Sequence, residues 1–414
     1  MQVGLQPLLN DLHIDAQQGN TQRQLSIGVR AIASEGETDL PLNLCLVLDH
    51  SGSMNGQPLK TVKQAATTLV DRLTPHDRLA IVAFDHRAKL IVPNQPVTDP
   101  DALKRRIAKL EADGGTAIDK GMQMGIEEAG KGRQDTISHL FLLTDGENEH
   151  GNNERCLQFA QLALEHNITV NSLGFGDHWN QDVLEQIADH AGGTLAHIEE
   201  PEQAPATFEQ LLQRAQSVGL TNAYLHLELT PQTRLAELKP VAQAAPETVE
   251  LTIQQEGNRA IVRLGDLMLE ERIVLVNLYL SQLPPGRHAI ATLSVRYDDP
   301  ATGQTDLVSE TVPVVVESQT QYQPSPNLAV QGAILALAKY RQTQIAETKL
   351  QKGDTAGAAT MLQTAAKTAL QLGDEQAATV LQRSATQLQS GEPLSAADRK
   401  KTRMASKTQL RSSP

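Results

Sequence analysis

The stretch Leu46-Val47-Leu48-Asp49-His50-Ser51-Gly52-Ser53-Met54-Asn55-Gly56 constrains the fold more than any other. Its apolar opening predicts a strand buried on both faces. The run stops at Asp49, where a carboxylate and two hydroxyls enter a tight turn. Gly52 stands between Ser51 and Ser53 and lets the backbone bend until both hydroxyls can face one point. Val62, Ala65, Ala66, Leu69, Val70 and Leu73 then recur at helical spacing. A strand, an oxygen-rich loop and a helix thus set small hard donors at the carboxyl end of a strand. Oxygen donors with few carboxylates suit Mg²⁺, Mn²⁺ or Ca²⁺ better than zinc.

Two further stretches extend this pattern. Gly114-Gly115-Thr116 offers a third hydroxyl from a flexible loop, and Phe141-Leu142-Leu143-Thr144-Asp145-Gly146 is a second buried strand that ends in a carboxylate. Asp49-x-Ser51-x-Ser53, Thr116 and Asp145 together resemble the metal-ion-dependent adhesion site of von Willebrand factor type A (VWA) domains. The resemblance implies direct binding of the ion by Ser51 and Ser53. It implies that Thr116 binds directly or through water, and that Asp49 and Asp145 often act through water. Mg²⁺ is the first expectation, with Mn²⁺ or Ca²⁺ as alternatives. An ion held mostly by neutral hydroxyls and water stays electrophilic and favours an additional anionic oxygen. In the family that oxygen is an Asp or Glu carboxylate of a protein partner.

The chain has 414 residues, enough for two or three domains. Aromatic residues make up only 3%, so the core must be aliphatic. A net charge of −13 argues against nucleic acid as a main partner, since that binding rests on cationic contacts with phosphate. The same charge disfavours an anionic membrane surface, and no apolar run reaches the length of a membrane span. The first residues, Met1-Gln2-Val3-Gly4-Leu5, lack the basic and apolar regions of a signal peptide. The two cysteines, Cys45 and Cys156, read as reduced core residues of a cytoplasmic protein.

Periodicity divides the chain. Residues 1–40 alternate apolar and polar, as in Leu25, Ile27, Val29 and Ala31, and predict half-buried antiparallel strands. Residues 41–217 alternate buried strands (42–49, 79–84, 89–92, 137–144, 168–174, 194–198) with helices near 58–73, 100–110, 118–129, 153–166, 180–191 and 203–216. This predicts an α/β doubly wound, Rossmann-like sheet. The spacing between 79–84 and 89–92 is too short for a crossover helix and predicts a hairpin. Ligands bind such sheets where the strand order reverses, and in the usual order the strands ending at Asp49 and Asp145 meet there. Residues 220–318 return to alternation with regular turns, which predicts an antiparallel β-sandwich. Completed by residues 1–40, that sandwich would carry the 41–217 domain as an insertion, which resembles bacterial VWA proteins with an attached β-sandwich and C-terminal helices. A linker over 319–326, a plain helical bundle or hairpin over 327–390 and a basic tail over 391–414 follow. Gly353-Asp354 and Gly373-Asp374 mark the helix boundaries, and no complete 34-residue repeat is present.

Three functional classes fit this organisation. The first is a non-enzymatic, metal-dependent protein-binding module. The second is an accessory subunit of an ATP-driven assembly or chelatase-like machine; the chain has no Walker motif, so the ATPase would be another protein. The third is a metal-assisted phosphatase. A haloacid-dehalogenase-like phosphatase would need a second Asp two residues after the nucleophile, where Ser51 stands, and the motif holds no Lys or Arg for a phosphoryl group. A rim of loop residues is expected around the site: His50, Asn55, Asp85, Glu147, Asn148, Glu149, His150, Asp177, His178, Trp179 and Asn180. His50, His150 and His178 are expected to be solvated or hydrogen-bonded rather than ligands. Trp179 is expected either to anchor a partner or to cover the loop base.

Overall fold

The computed structural model describes residues 1–33, 40–134 and 136–407. Contacts divide it into two compact units, one holding Met1, 33–222 and 298–305 and the other 2–32, 223–297 and the chain from 306 onward. The chain opens with three strands, β1 (Gln2–Leu9), β2 (His13–Asp15) and β3 (Asn20–Ile32). Along β3 the inward positions Leu25, Ile27 and Val29 are buried at every second residue, as a sandwich strand requires.

The first unit then follows. Its elements are β4 (Leu42–Asp49), α1 (Gln57–Arg72), β5 (Arg78–Phe84), β6 (Ala88–Pro96), α2 (Pro100–Ala108), α3 (Ile118–Lys131), β7 (Ile137–Thr144), α4 (Asn153–Glu165), β8 (Ile168–Phe175), α5 (Gln181–His190), β9 (Gly192–Ile198) and α6 (Ala204–Gln216). The strand order is β6-β5-β4-β7-β8-β9. Every residue of β4 and β7 is buried, because helices cover both faces of the sheet. One helical group is α1, α2 and α6; the other is α3, α4 and α5. β5 and β6 form the antiparallel hairpin, while β4 runs parallel to β5 on one side and to β7 on the other. The order reverses between β4 and β7, so the two strands that end in the motif carboxylates are neighbours.

The second unit takes up the chain with β10 (Val218–Leu229), β11 (Thr233–Leu235), β12 (Val241–Ala245), β13 (Val249–Glu250), β14 (Ile253–Glu256), β15 (Arg259–Met268), β16 (Arg272–Ser281), β17 (Gly286–Asp299), β18 (Gln304–Val308) and β19 (Val312–Gln319). One sheet is ordered β1-β3-β16-β12-β13 with β11 on β16, and the other β14-β15-β10-β17-β19-β2 with β18 on β17. The N-terminal strands are shared between the two sheets: β3 pairs with β16 from Asn20 to Val29, and β2 runs parallel to β19. Residues 322–327 are hydrogen-bonded to the connection between β1 and β2. Tyr322 donates to Asp11 at 2.7 Å, the Ser325 amide donates to Asp11 at 3.2 Å, and the Asn327 amide donates to the Asn10 carbonyl at 2.9 Å.

Four helices complete this unit: α7 (Leu328–Gln351), α8 (Thr355–Gln371), α9 (Glu375–Gln389) and α10 (Ala396–Ser406). Asp354 and Asp374 cap α8 and α9 by accepting from the Gly357 and Ala377 amides. Val330, Ala333, Leu337 and Tyr340 of α7 pack on Ala242, Ala244 and Leu275 of the sandwich. Arg341 adds a two-pronged contact to Glu250 at 2.9 and 3.1 Å. The far half of α7 joins an alanine-rich core with α8 and α9, where small side chains allow close approach. The basic tail expected over 391–414 is corrected here. Ser395 and Asp398 form a capping box, and α10 packs on α9 and α7 with Lys400, Thr402 and Ser406 buried. Arg411 lies outside the described residues.

Candidate metal centre

The turn after β4 is built by its own polar groups. Asp49 is fully buried, and both of its oxygens accept hydrogen bonds: Oδ1 from the Ser51 amide at 2.8 Å, Oδ2 from the Thr144 hydroxyl at 2.6 Å. Ser51 Oγ lies 3.0 Å from Ser53 Oγ, and Ser53 donates to Asp145 Oδ1 at 2.7 Å. Two hydroxyls and a carboxylate oxygen thus run in a continuous chain across the ends of β4 and β7. Thr116 is buried against Gly146; its Oγ1 lies 3.3 Å from where a Cβ on that glycine would stand. Its loop is tied to the turn by the Gly52 amide, which donates to the Gly114 carbonyl at 2.9 Å. All five residues singled out in the sequence therefore come to one end of one sheet.

The electrostatics are those of a site short of positive charge. Burial pushes the Asp49 carboxyl up to about 6, against hydrogen bonds from Thr144 and Ser51 that pull it down, and the nearby Asp145 charge adds to the rise. Burial also raises Asp145, opposed by the Ser53 and Ser51 hydroxyls and by His178. Neither carboxylate is paired with a Lys or Arg among the described residues. A buried and a half-buried carboxylate, neither with a Lys or Arg partner among the described residues, are the arrangement that a divalent cation would complete. The donor set is oxygen alone, which fits a hard ion, and among the described residues no group of three His, Cys, Asp or Glu is placed to hold one elsewhere.

The expected rim needs correction at His50 and Asp85, while Trp179 takes the second of its two expected places. His50, Asp85 and Trp179 are buried. His50 sits beneath the turn with Nδ1 2.8 Å from the Glu111 carbonyl and Nε2 3.5 Å from Asp85. Burial raises the Asp85 carboxyl, but the Arg87 amide, Lys89 and the His50 charge together hold it below its ordinary value. Trp179 covers the base of its loop: Nε1 donates to the Gly176 carbonyl at 2.7 Å, and the ring meets His197 edge-on at 5.2 Å. Asn55, Glu147, Glu149, His150, Asp177 and His178 are exposed, while Asn148 and Asn180 are half-buried. Thr144 was missed by the sequence reading. Inside an apolar strand a threonine reads as a β-branched filler; its place immediately before Asp145 is the only signal that it meets the first motif carboxylate. His86, half-buried on the β5–β6 hairpin, was missed as well.

Comparison with known proteins agrees with the fold. The von Willebrand factor type A domain model matches residues 43–211, and the Sll0103-like, C-terminal alpha-helical domain model matches residues 328–412. The sll0103 protein of Synechocystis sp. is 60% identical over 411 residues, which cover 99% of this chain and 98% of that one. The chain belongs to the Sll0103 family. Human inter-alpha-trypsin inhibitor heavy chain H4 is 28% identical over 214 residues, 49% of this Sll0103-family chain, which spans only 23% of that protein. A von Willebrand factor type A structure from Catenulispora acidiphila superposes with a TM-score of 0.80 at 17% identity, covering 99% of this chain and 97% of its own. The ArnB paralog VWA2 from Sulfolobus acidocaldarius gives 0.59 at 13% identity, with 98% of each chain covered. At those identities the likeness is one of fold: a VWA domain, paired sheets and C-terminal helices. Among the described residues no helix is long and apolar enough to cross a membrane.

Proposed function

We propose that this Sll0103-family chain is a metal-dependent protein-binding module, not an enzyme. In this reading Asp49, Ser51, Ser53, Thr116 and Asp145 hold one divalent cation, Mg²⁺ before Mn²⁺ or Ca²⁺. When bound, that cation supplies a local positive centre able to accept an Asp or Glu carboxylate of a partner protein. The chain's own residues do the rest. Thr144 and the Ser51 amide fix Asp49, Ser53 and Ser51 line up toward Asp145, and the Gly52–Gly114 bond brings Thr116 alongside. The observation that carries the reading is the unbroken Ser51–Ser53–Asp145 chain of oxygens at the strand reversal. The −13 background disfavours acidic proteins that miss the ion. A phosphoryl-transfer reading finds no support: Ser51 occupies the place of a second Asp, and its amide is spent on Asp49. Buried thiols fit a reducing, cytoplasmic setting. Burial pushes the Cys156 thiol up to about 12 and raises Cys45 further, so both are inert.

The test is capture of partners on the immobilised full-length chain, with and without EDTA, alongside Asp49→Ala. Proteins retained only by the wild type and only with metal support the reading. A partner set unchanged by EDTA and by Asp49→Ala would remove the metal from the function.

A further inference from the structure

The loop that brings Thr116 to the site has no side chains of its own at Gly114 and Gly115, and an imidazole ring lies on each. A Cβ on Gly115 would fall 2.4 Å from Cε1 and 2.5 Å from Nδ1 of His150. A Cβ on Gly114 would fall 2.5 Å from His86 Nδ1. Both distances are well inside van der Waals contact, so the rings occupy the space that side chains there would need. The backbone repeats the arrangement: the His150 amide donates to the Thr116 carbonyl at 2.9 Å, as the Gly52 amide does to Gly114. His86 is itself held, with Nδ1 3.4 Å from Asp85 and its carbonyl accepting from Lys120 at 2.9 Å. The diglycine is therefore a slot filled from outside by two rings borne on other loops.

We propose that His150, with His86 on the adjoining glycine, is a positioning residue that sets Thr116 against the Ser51–Ser53 turn through the shape of its ring. The inference rests on the metal reading above and adds to it which side chains place the third hydroxyl. Outer contacts of this kind govern metal affinity because a ligand that wanders costs entropy each time the ion is bound. Gly115 is the sharper test position. Its φ lies outside the left-handed region, so an alanine there is opposed by the His150 ring and not by the backbone, whereas Gly114 has φ +73° and would be strained by any substitution.

The experiment is Mn²⁺ titration calorimetry on the full-length chain, with thermal melts in EDTA to verify that each variant is folded. Gly115→Ala should weaken Mn²⁺ binding about ten-fold, since the exposed His150 ring gives way in part. Adding His150→Ala to it should restore most of that loss, because the ring that clashed is gone. His150→Ala alone should weaken binding about ten-fold, and His150→Phe, which keeps a flat ring, should stay within about three-fold of wild type. A double variant no better than Gly115→Ala would overturn the proposal. His150→Phe as weak as His150→Ala would overturn it too, since the nitrogens and not the shape would then matter. A wild type with no Mn²⁺ affinity would overturn the metal reading and this inference together. A wild type that binds tightly, beside His150 and Gly115 variants that bind equally well, would overturn this inference alone.

Discussion

Carboxylates stand at the ends of elements in both units, but they are served differently. In the helical region Asp354 caps α8 and meets Lys349 at 2.6 Å, and that hydrogen bond holds its carboxyl below the ordinary value. Asp374 caps α9 and meets the buried Lys339 at 2.8 Å. Lys339 also donates to the Ala405 carbonyl at 3.0 Å, so one ammonium ties α7, α9 and α10. At the sheet end, Asp49 and Asp145 meet hydroxyls and an amide, and burial moves both upward. The same side chain is a finished structural contact where the chain supplies its own cation, and an open demand for charge where it does not. That contrast distinguishes a site from scaffolding here.

The contrast is broken most directly at the serines. Ser51→Ala with Ser53→Ala should abolish Mn²⁺ binding by calorimetry while the Tm in EDTA stays within about 4 °C of wild type. Unchanged affinity would place the ion elsewhere. The scaffold side is tested at Lys339. Lys339→Ala removes the ammonium that faces Asp374 and should cost about 3 kcal/mol in urea unfolding. The pair replacement Lys339→Met with Asp374→Asn keeps volume and cap and should cost less than half of that. Equal losses would mean that the pair acts through packing alone. Thr144→Val removes one donor to Asp49 without changing shape and should lower Mn²⁺ affinity about ten-fold, with Thr144→Ser near wild type.

The smallest effect belongs to Asp11, a scaffold carboxylate. Burial raises it, but the Tyr322 hydroxyl and the His13 and Ser325 amides outweigh burial and hold it below its ordinary value. A carboxylate depressed in the folded state adds stability above its unfolded pKa, near about 4. That stability is lost as pH falls through the lower folded value. Tyr322→Phe should therefore cost about 1–2 kcal/mol at pH 7. The difference from wild type should shrink as the pH drops below 4 in melts monitored by circular dichroism.

What could be read from the sequence was decided by how each residue is used. β4 and β7 were legible because burial on both faces demands unbroken apolar runs, and Asp49 and Asp145 were legible as the points where those runs stop. The pairing of residues 1–40 with the strands after 220 was legible in outline from shared alternation. The division of β1 and β3 to one sheet and β2 to the other was not, since both sheets ask for the same period. Helix α10 escaped because its buried positions are Lys400, Thr402 and Ser406, which carry no apolar stripe. Asp85 and His50 looked like rim residues because polarity suggests exposure; they are buried because other groups serve them, the Glu111 carbonyl for His50 and the Arg87 amide and Lys89 for Asp85. Thr144 and the ring of His150 act through space on loops distant in sequence, where no local pattern points to them.

The split of the sandwich has a consequence for biosynthesis. β3 leaves the ribosome with only β1 beside it, and its other neighbour, β16, begins at Arg272. At about 5–20 residues per second, the intervening chain takes on the order of 10–50 s to appear. The whole α/β unit emerges within that interval and is free to fold before β16 appears, while one long edge of β3 waits unpaired. The α/β unit is therefore finished before the sandwich can be completed, and a stalled or truncated nascent chain would carry that folded unit together with an open strand edge.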